Sequence, residues 1–138
     1  QRQLSQMQRN TNQRSVYLPI LRNALPEMMR LFDTAEPSLI VGKRNETTVP
    51  TQALYLMNNP FVIGQAFNMA KRVMDTAEGR PDGIRLAYEL AFARAATDDE
   101  VSRAHEFLSS VAEEKDRPGQ WTVLCQALLA SAEFRYID

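Results

Sequence analysis

Apolar residues that recur at helical spacing are the feature that most constrains how this chain can fold. The clearest stripe, at i, i+3, i+4, i+7 and i+8, consists of Trp121, Leu124, Cys125, Leu128 and Leu129. Side chains at this spacing lie on one face of an α-helix. Comparable stripes occur in the windows 60–77, 83–94 and 98–113. Because an apolar helix face must be buried against another element, the stripes predict a helical bundle.

Residue types that begin helices mark the boundaries of these windows. Asn59 is predicted to cap a helix that starts at Pro60, because the first turn of a helix leaves its N–H groups unpaired and tolerates a proline. Asp82 is predicted to cap the next helix. Thr97 and Glu100 have the T-x-x-E spacing of a capping box, which predicts a third helix start.

The N-terminal part of the chain has a different character. Residues 1–14 are rich in Gln, Asn and Arg, and such a segment buries too little apolar surface to offset the entropy lost on ordering. A short amphipathic helix is predicted around Leu25–Phe32 and a two-turn helix over Thr51–Met57. A long connection without periodicity, Asp33–Pro50, lies between them and suggests a functional or self-packed loop.

Together these patterns predict an all-α protein, in which an irregular arm and a long loop precede a compact bundle of about five to six helices. At 138 residues the chain has the length of about one domain. We therefore expect a polar arm over 1–14 and a single helical domain over 15–138. Within that domain, 15–61 is the motif-rich half and 62–138 is the helical scaffold.

Charge and hydropathy do not favour nucleic acid or a membrane as a partner. The chain has 16 basic and 17 acidic side chains, so the total does not favour nucleic acid, and the basic residues before Glu27 lack the clustering of a nucleic-acid surface. No apolar run is long enough to cross a membrane.

The one cysteine, Cys125, excludes an intrachain disulfide and multi-cysteine metal sites. The first residue is Gln1, so the chain is expected to be a piece of a longer protein.

No catalytic residue, cofactor or metal site is predicted from the residues. His105 is the only histidine, and it has no nucleophile and orienting group at a spacing that would make it a general base. Cys125 is predicted to be a small core residue. The carboxylates at 98–100 are explained by a helix N-terminus, which favours negative charge.

A polar cluster in the long loop is the strongest candidate for ligand contact. Two cations and two hydroxyls, from Lys43, Arg44, Thr47 and Thr48, could hold a phosphate, sulfate or carboxylate. Alternatively, Arg44 pairs with an acid such as Asp33, and a threonine caps the following helix. The complete set of candidate interface or ligand contacts is Arg14, Arg22, Asp33, Lys43, Arg44, Thr47, Thr48 and Gln52.

Several motifs are similar to those of one protein family. They include R-S-V-Y-L-P at 14–19, T-T-V-P-T-Q-A-L at 47–54 and the closing L-C-Q-A-L-L-A-S-A-E-F-R-Y-I-D. Over about 14–138 the chain resembles the C-terminal planctomycete-specific domain of unknown function, domain-of-unknown-function family 1553. The resemblance implies a large, exported parent protein that often carries a cytochrome-c-like haem domain. It implies no catalytic residues, and this chain has no C-x-x-C-H haem attachment motif.

The leading expectation is a non-catalytic accessory or interaction domain of a larger exported multidomain protein, with a neighbouring domain of that protein as its partner. One alternative is a composite enzyme site, for example for polysaccharide breakdown, to which Arg14, Arg22, Asp33, Arg44 and Gln52 would contribute. A further alternative is a module that binds an anion or glycan through Lys43 and Arg44. Neither nucleic acid nor a membrane is expected as a partner.

Overall fold

The computed structural model describes residues 17, 27–32, 49–110 and 116–136. These residues contain seven helices and no strand, which confirms the all-α prediction. We number the helices α1 Glu27–Leu31, α2 Val49–Asn58, α3 Pro60–Thr76, α4 Arg80–Phe92, α5 Asp98–Ser110, α6 Arg117–Ala130 and α7 Ala132–Arg135. The count exceeds the predicted five to six because Ser131 ends α6 and starts the one-turn helix α7. The predicted arm, 1–14, lies outside the described residues.

The chain divides into two compact units, Gln1–Gln52 and Ala53–Asp138. In the first unit, the described residues form α1 and the first turn of α2. The second unit contains the rest of α2 and all later helices. The division into an arm and one domain over 15–138, expected from the sequence, stays a prediction.

Helices α3 to α6 form an antiparallel four-helix bundle in the second unit. The guanidinium of Arg80, at the start of α4, donates to the hydroxyl of Ser109 near the end of α5 at 3.2 Å, so these two helices run in opposite directions. The amide of Gln126 in α6 donates to the carbonyl oxygen of Met57, just before α3, at 2.6 Å. Helices α3 and α6 share the most extensive contact of the bundle.

The core of this bundle is assembled from all four helices. Its buried residues are Ala66, Ala70, Val73, Ile84, Ala87, Ala104, Leu108, Trp121, Leu124, Cys125 and Leu128. The stripe predicted on α6 is thus confirmed as a core face, with Leu129 partly buried beside it. Cys125 is a free, buried thiol, and burial raises its pKa to about 12. It therefore acts as a small apolar core residue, as predicted.

Two helices approach each other closely where a glycine meets a tryptophan. A Cβ atom on Gly83 of α4 would lie 2.7 Å from Cη2 of Trp121 and 3.2 Å from Cγ1 of Val73. That distance is shorter than real carbon contacts, so any larger residue at position 83 requires the indole to move. The indole of Trp121 therefore packs directly on the backbone of α4.

Two of the predicted helix starts are confirmed. The side-chain oxygen of Asn59 accepts a hydrogen bond from the backbone N–H of Phe61 at 2.9 Å, and Pro60 is the first residue of α3. At α5 the backbone N–H of Thr97 donates to Glu100 Oε2 at 2.7 Å, and the N–H of Glu100 donates to Thr97 Oγ1 at 3.3 Å. This reciprocal pair is the capping box.

The predicted start of α4 was wrong. The helix begins at Arg80 with Gly79 as its N-cap, so Asp82 lies inside the first turn and is not the cap. Pro81 fits this turn because its missing N–H removes no helical hydrogen bond there. The carboxylate of Asp82 is also favourable at this position, since the helix dipole places positive charge at the N-terminus.

Candidate interaction surface

Of the eight predicted contact residues, only Gln52 lies within the described part of the chain. Its side chain is buried, and its amide nitrogen donates to the carbonyl oxygen of Leu31 at 2.9 Å. That carbonyl is one of those that the end of a helix leaves without an intrahelical donor. Gln52 therefore links the end of α1 to α2 inside the first unit. The other contact residues, which stay predictions, are Arg14, Arg22, Asp33, Lys43, Arg44, Thr47 and Thr48.

The strongest polar network among the described residues was not predicted from the sequence. It centres on Arg94. The preceding residue, Ala93, is the C-cap of α4 and has the left-handed conformation, with φ 55°. The guanidinium contacts both oxygens of Glu100, at 2.9 and 2.7 Å, and both oxygens of Glu133, at 2.6 and 2.8 Å. It also donates to the carbonyl oxygen of Ala95 at 3.0 Å.

These contacts engage all five N–H donors of the Arg94 guanidinium. Its carbon Cζ also lies 5.7 Å from the ring centroid of Tyr88 and 5.4 Å from that of Phe92, within the range of cation–π attraction. With every donor engaged by the protein, the cluster joins the end of α4 to α5 and α7. It has no donor left for a ligand anion.

The network lowers the pKa of both carboxyl groups. Hydrogen bonds from Arg94, followed by those from Thr97, lower the pKa of Glu100 from 4.5 to about 2. The pKa of Glu133 is lowered by the same guanidinium. The pKa of Tyr88 is raised, first by burial and then by the negative charge of Glu100.

We expect this network to make stability depend on acid pH. Because the pKa of Glu100 is lower in the folded protein than its ordinary value, the stabilisation is complete above about pH 4.5 and is lost as the pH falls towards 2. Glu100→Gln should flatten the decline in melting temperature across this range. Glu106→Gln, an exposed change on the same helix, is the matched control and should leave the decline as it is. Equal acid sensitivity in wild type and Glu100→Gln would contradict the assignment.

Among the described residues, the cleft described next is too small for a typical ligand, and no group of side chains suits a metal ion. A cleft between the end of α3 and the starts of α4 and α6 has a volume of about 60 Å³ and is lined in part by Val73, Gly83, Arg117 and Trp121. Ligand pockets usually measure about 300–1,000 Å³. Within the described ranges, no three His, Cys, Asp or Glu side chains are grouped so that they could hold a metal ion. No described helix is both long and apolar enough to span a bilayer.

The most distinctive surface of the second unit lies on α2 and α3. Residues 49–70 include no Asp, Glu, Lys, Arg or His, although charged residues make up 24% of the chain. Several large apolar side chains in this stretch are 40–58% exposed, namely Leu54, Met57, Phe61, Ile63 and Phe67. We call these five residues the uncharged surface.

The composition of the uncharged surface is typical of the centre of a protein interface. Aromatic residues and methionine are enriched at such centres, and charged residues are depleted. This surface was not predicted, because the apolar stripes in the sequence mark only the helix faces that pack inside the bundle. The gap in charged residues is visible in the sequence and would have indicated it.

Comparison with known proteins identifies the family but no function. The model of the PSD1 family, described as protein of unknown function (DUF1553), matches residues 1–108. The match ends within α5, so α6 and α7 lie beyond it. No curated protein and no solved structure matches the chain. Restriction to planctomycetes and association with a cytochrome-c-like domain stay predictions. Because the family model matches most of its length, the chain belongs to the DUF1553 family of proteins of unknown function.

Proposed function

We propose that this chain is a non-catalytic interaction domain of a larger, exported multidomain protein. It docks onto a neighbouring domain of that protein through the uncharged surface. The observation that carries the proposal is the exposure of five large apolar side chains in a stretch without any charged residue. A large exposed apolar patch on a folded domain is typical of an interaction site.

The area of the uncharged surface is compatible with this role. Its two phenylalanine side chains alone expose on the order of 200 Å², given that an aromatic side chain buries roughly 150–250 Å² when fully covered, and Leu54, Met57 and Ile63 add to this area. A standard interface buries about 800 Å² on each partner. The uncharged surface would therefore form the centre of the interface, and polar residues around it would form the rim.

The chemistry of this surface also favours a protein partner over a polyanion or a lipid bilayer. Nucleic acid is bound mainly through Lys and Arg contacts to phosphates. Helices that lie in a membrane interface carry Lys or Arg on their polar face. Residues 49–70 provide neither side chain, and the cations of α3, Lys71 and Arg72, lie near its C-terminal end, beyond the uncharged surface. A protein with an apolar surface is the remaining class of partner, because covering these residues removes apolar area from water.

The alternative functions have no comparable support. A composite enzyme site and an anion- or glycan-binding module both depend chiefly on residues outside the described ranges. The one described candidate, Gln52, uses its amide nitrogen to bind the carbonyl oxygen of Leu31. Among the described residues, the most extensive charged cluster is the one around Arg94, and its guanidinium has no free donor.

The proposal is tested by binding between this chain and the neighbouring domain, expressed separately and measured by titration calorimetry. Phe67→Asp and Leu54→Asp should each weaken binding at least about tenfold, because the new carboxylate would be buried without a partner. Both positions are exposed in the free chain, so its melting temperature should change little.

Phe107→Asp is the matched control. Phe107 is 38% exposed, close to the 40% of Phe61, but it lies on α5 outside the uncharged surface. This variant should bind like wild type. The proposal fails if the two domains do not associate, or if the Asp variants on α2 and α3 bind as tightly as wild type.

A further inference from the structure

Helices α2 and α3 are joined by a single residue, Asn59. Its backbone is extended, with φ −74° and ψ 127°, whereas the residues on both sides of it are helical. The N–H of Asn59 donates to the carbonyl oxygen of Tyr55 at 2.8 Å, and its carbonyl oxygen accepts from the N–H of Ile63 at 3.1 Å. Asn59 thus belongs to both helical ladders, and its two torsion angles set the angle between the helices. We call residues 57–61 the elbow.

The local sequence restricts the angle of the elbow only in part. Pro60 keeps the preceding residue in the extended region, but that region still spans about 40° of ψ. A helix rises about 1.5 Å per residue, so a rotation of about 20° at the elbow would move a residue ten positions away by about 5 Å. The orientation of α2 on α3 is therefore open within this range unless another contact fixes it.

Helix α6 provides such a contact. The side-chain amide nitrogen of Gln126 donates to the carbonyl oxygen of Met57 at 2.6 Å, although the two residues are 69 positions apart. In a continuous helix this carbonyl would accept from the N–H of Phe61, but that N–H donates to the side chain of Asn59 instead. Gln126 therefore joins a carbonyl at the end of α2 to the helix that packs most extensively on α3.

Apolar packing does less to fix the part of α2 that belongs to the second unit, residues 53–58. None of the helix pairs with extensive contact in the described chain includes α2. Leu56 is the one buried side chain of 53–58, and it is not among the core residues of the bundle. The orientation of this part of α2 therefore depends on the elbow more than on the core.

We infer that Gln126 is a positioning residue, whose bond to Met57 holds α2 and α3 at one angle. A hydrogen bond of ordinary net strength favours the bonded arrangement over the open one roughly fivefold. The uncharged surface spans the elbow, with Leu54 and Met57 on α2 and its other residues on α3. A fixed elbow presents both parts of that surface in one arrangement, which reduces the cost of ordering them on binding. The inference goes beyond the proposed function, because it concerns the free chain.

Gln126→Met tests this inference in the protein alone. Methionine is similar to glutamine in helix propensity but has no N–H donor. Gln126 is partly exposed and lies outside the core cluster, so the melting temperature should stay close to that of wild type. Residual dipolar couplings of the backbone N–H groups, measured in weakly aligned protein, report helix orientation. In wild type the couplings of 53–58 and α3 should fit one alignment frame. In Gln126→Met those of 53–58 should shrink relative to those of α3.

Two further variants separate the lost donor from other effects. Gln126→Glu keeps the shape of the side chain, but an ionised carboxylate cannot donate, so it should reproduce the loss. Arg117→Met places methionine at an exposed position of α6, nine residues or about 13 Å along the helix from Gln126. It should leave all couplings unchanged.

The inference is overturned if the couplings of 53–58 still fit the frame of α3 in Gln126→Met or in Gln126→Glu. It is also overturned if they fail to fit that frame in wild type, because the elbow would then not be held. These results need no partner, so they are distinct from the test of docking. Failure of the neighbouring domain to bind would overturn the proposed function and leave the role of Gln126 standing.

Discussion

Removal of α6 and α7, by ending the chain at Asp116, should abolish cooperative folding of the second unit. Helix α6 supplies Trp121, Leu124, Cys125 and Leu128 to the core and makes the most extensive contact with α3. Truncating a single buried leucine costs about 2–5 kcal/mol, whereas a whole domain is stable by about 5–15 kcal/mol. Loss of four core residues therefore exceeds the available stability. Thermal unfolding followed by circular dichroism would show a broad, non-cooperative loss of helix.

A chain that ends at Ala130 is the control for this truncation. It keeps the whole core and loses only α7, with the contact between Arg94 and Glu133. We expect it to melt cooperatively at a somewhat lower temperature. A sharp transition in the protein that ends at Asp116 would contradict the prediction and would show that the family-matched residues, 1–108, fold without α6.

Trp121→Ala should reduce the free energy of unfolding by about 3–5 kcal/mol, because it removes a buried aromatic side chain and leaves a cavity. The indole is buried and packs on Gly83, and the glycine backbone cannot move into the space that the ring leaves. Urea unfolding measured by circular dichroism gives the free energy directly.

Val123→Ala, at an exposed position of the same helix, is the matched control for Trp121→Ala. It should change stability by less than about 0.5 kcal/mol, as surface substitutions usually do. A loss below about 1 kcal/mol for Trp121→Ala would show that the indole does not support the bundle.

The residues that stabilise the second unit differ from those of the proposed docking surface. Buried apolar residues and the Arg94 network hold α4, α5, α6 and α7 together. Exposed apolar residues on α2 and α3 add little to the stability of the free chain, since they remain in contact with water. Variants of the uncharged surface can therefore change binding without unfolding the protein, and this makes the proposed function testable by substitution.

Local sequence patterns predicted the helices well because the interactions that define them are short in range. The cap of α3 joins Asn59 to Phe61, and the capping box of α5 joins Thr97 to Glu100. Each contact spans three residues or fewer, so both partners are visible in one window of sequence. The start of α4 was less well defined, because Gly79 makes no side-chain cap that would mark it.

The candidate site was predicted less completely. Of the eight candidate contacts, Gln52 lies in the described part of the chain, where its buried amide contacts Leu31. Its partner is 21 residues away, and no periodicity indicates such a pair. The lack of charge over 49–70 is a property of the sequence, but the exposure of Phe61 and Phe67 depends on which neighbouring helices cover α3.

The amino-acid sequence by itself determined that this protein is helical, where α3 and α5 begin, and which face of α6 is apolar, because these depend on the intrinsic geometry of one helix. Only the tertiary structure decided which helices pair and which apolar residues remain exposed. It brought Arg94 to Glu133, 39 residues away, and Trp121 against Gly83. Such contacts depend on the packing of whole helices, since residues distant in the chain meet only after the bundle has formed.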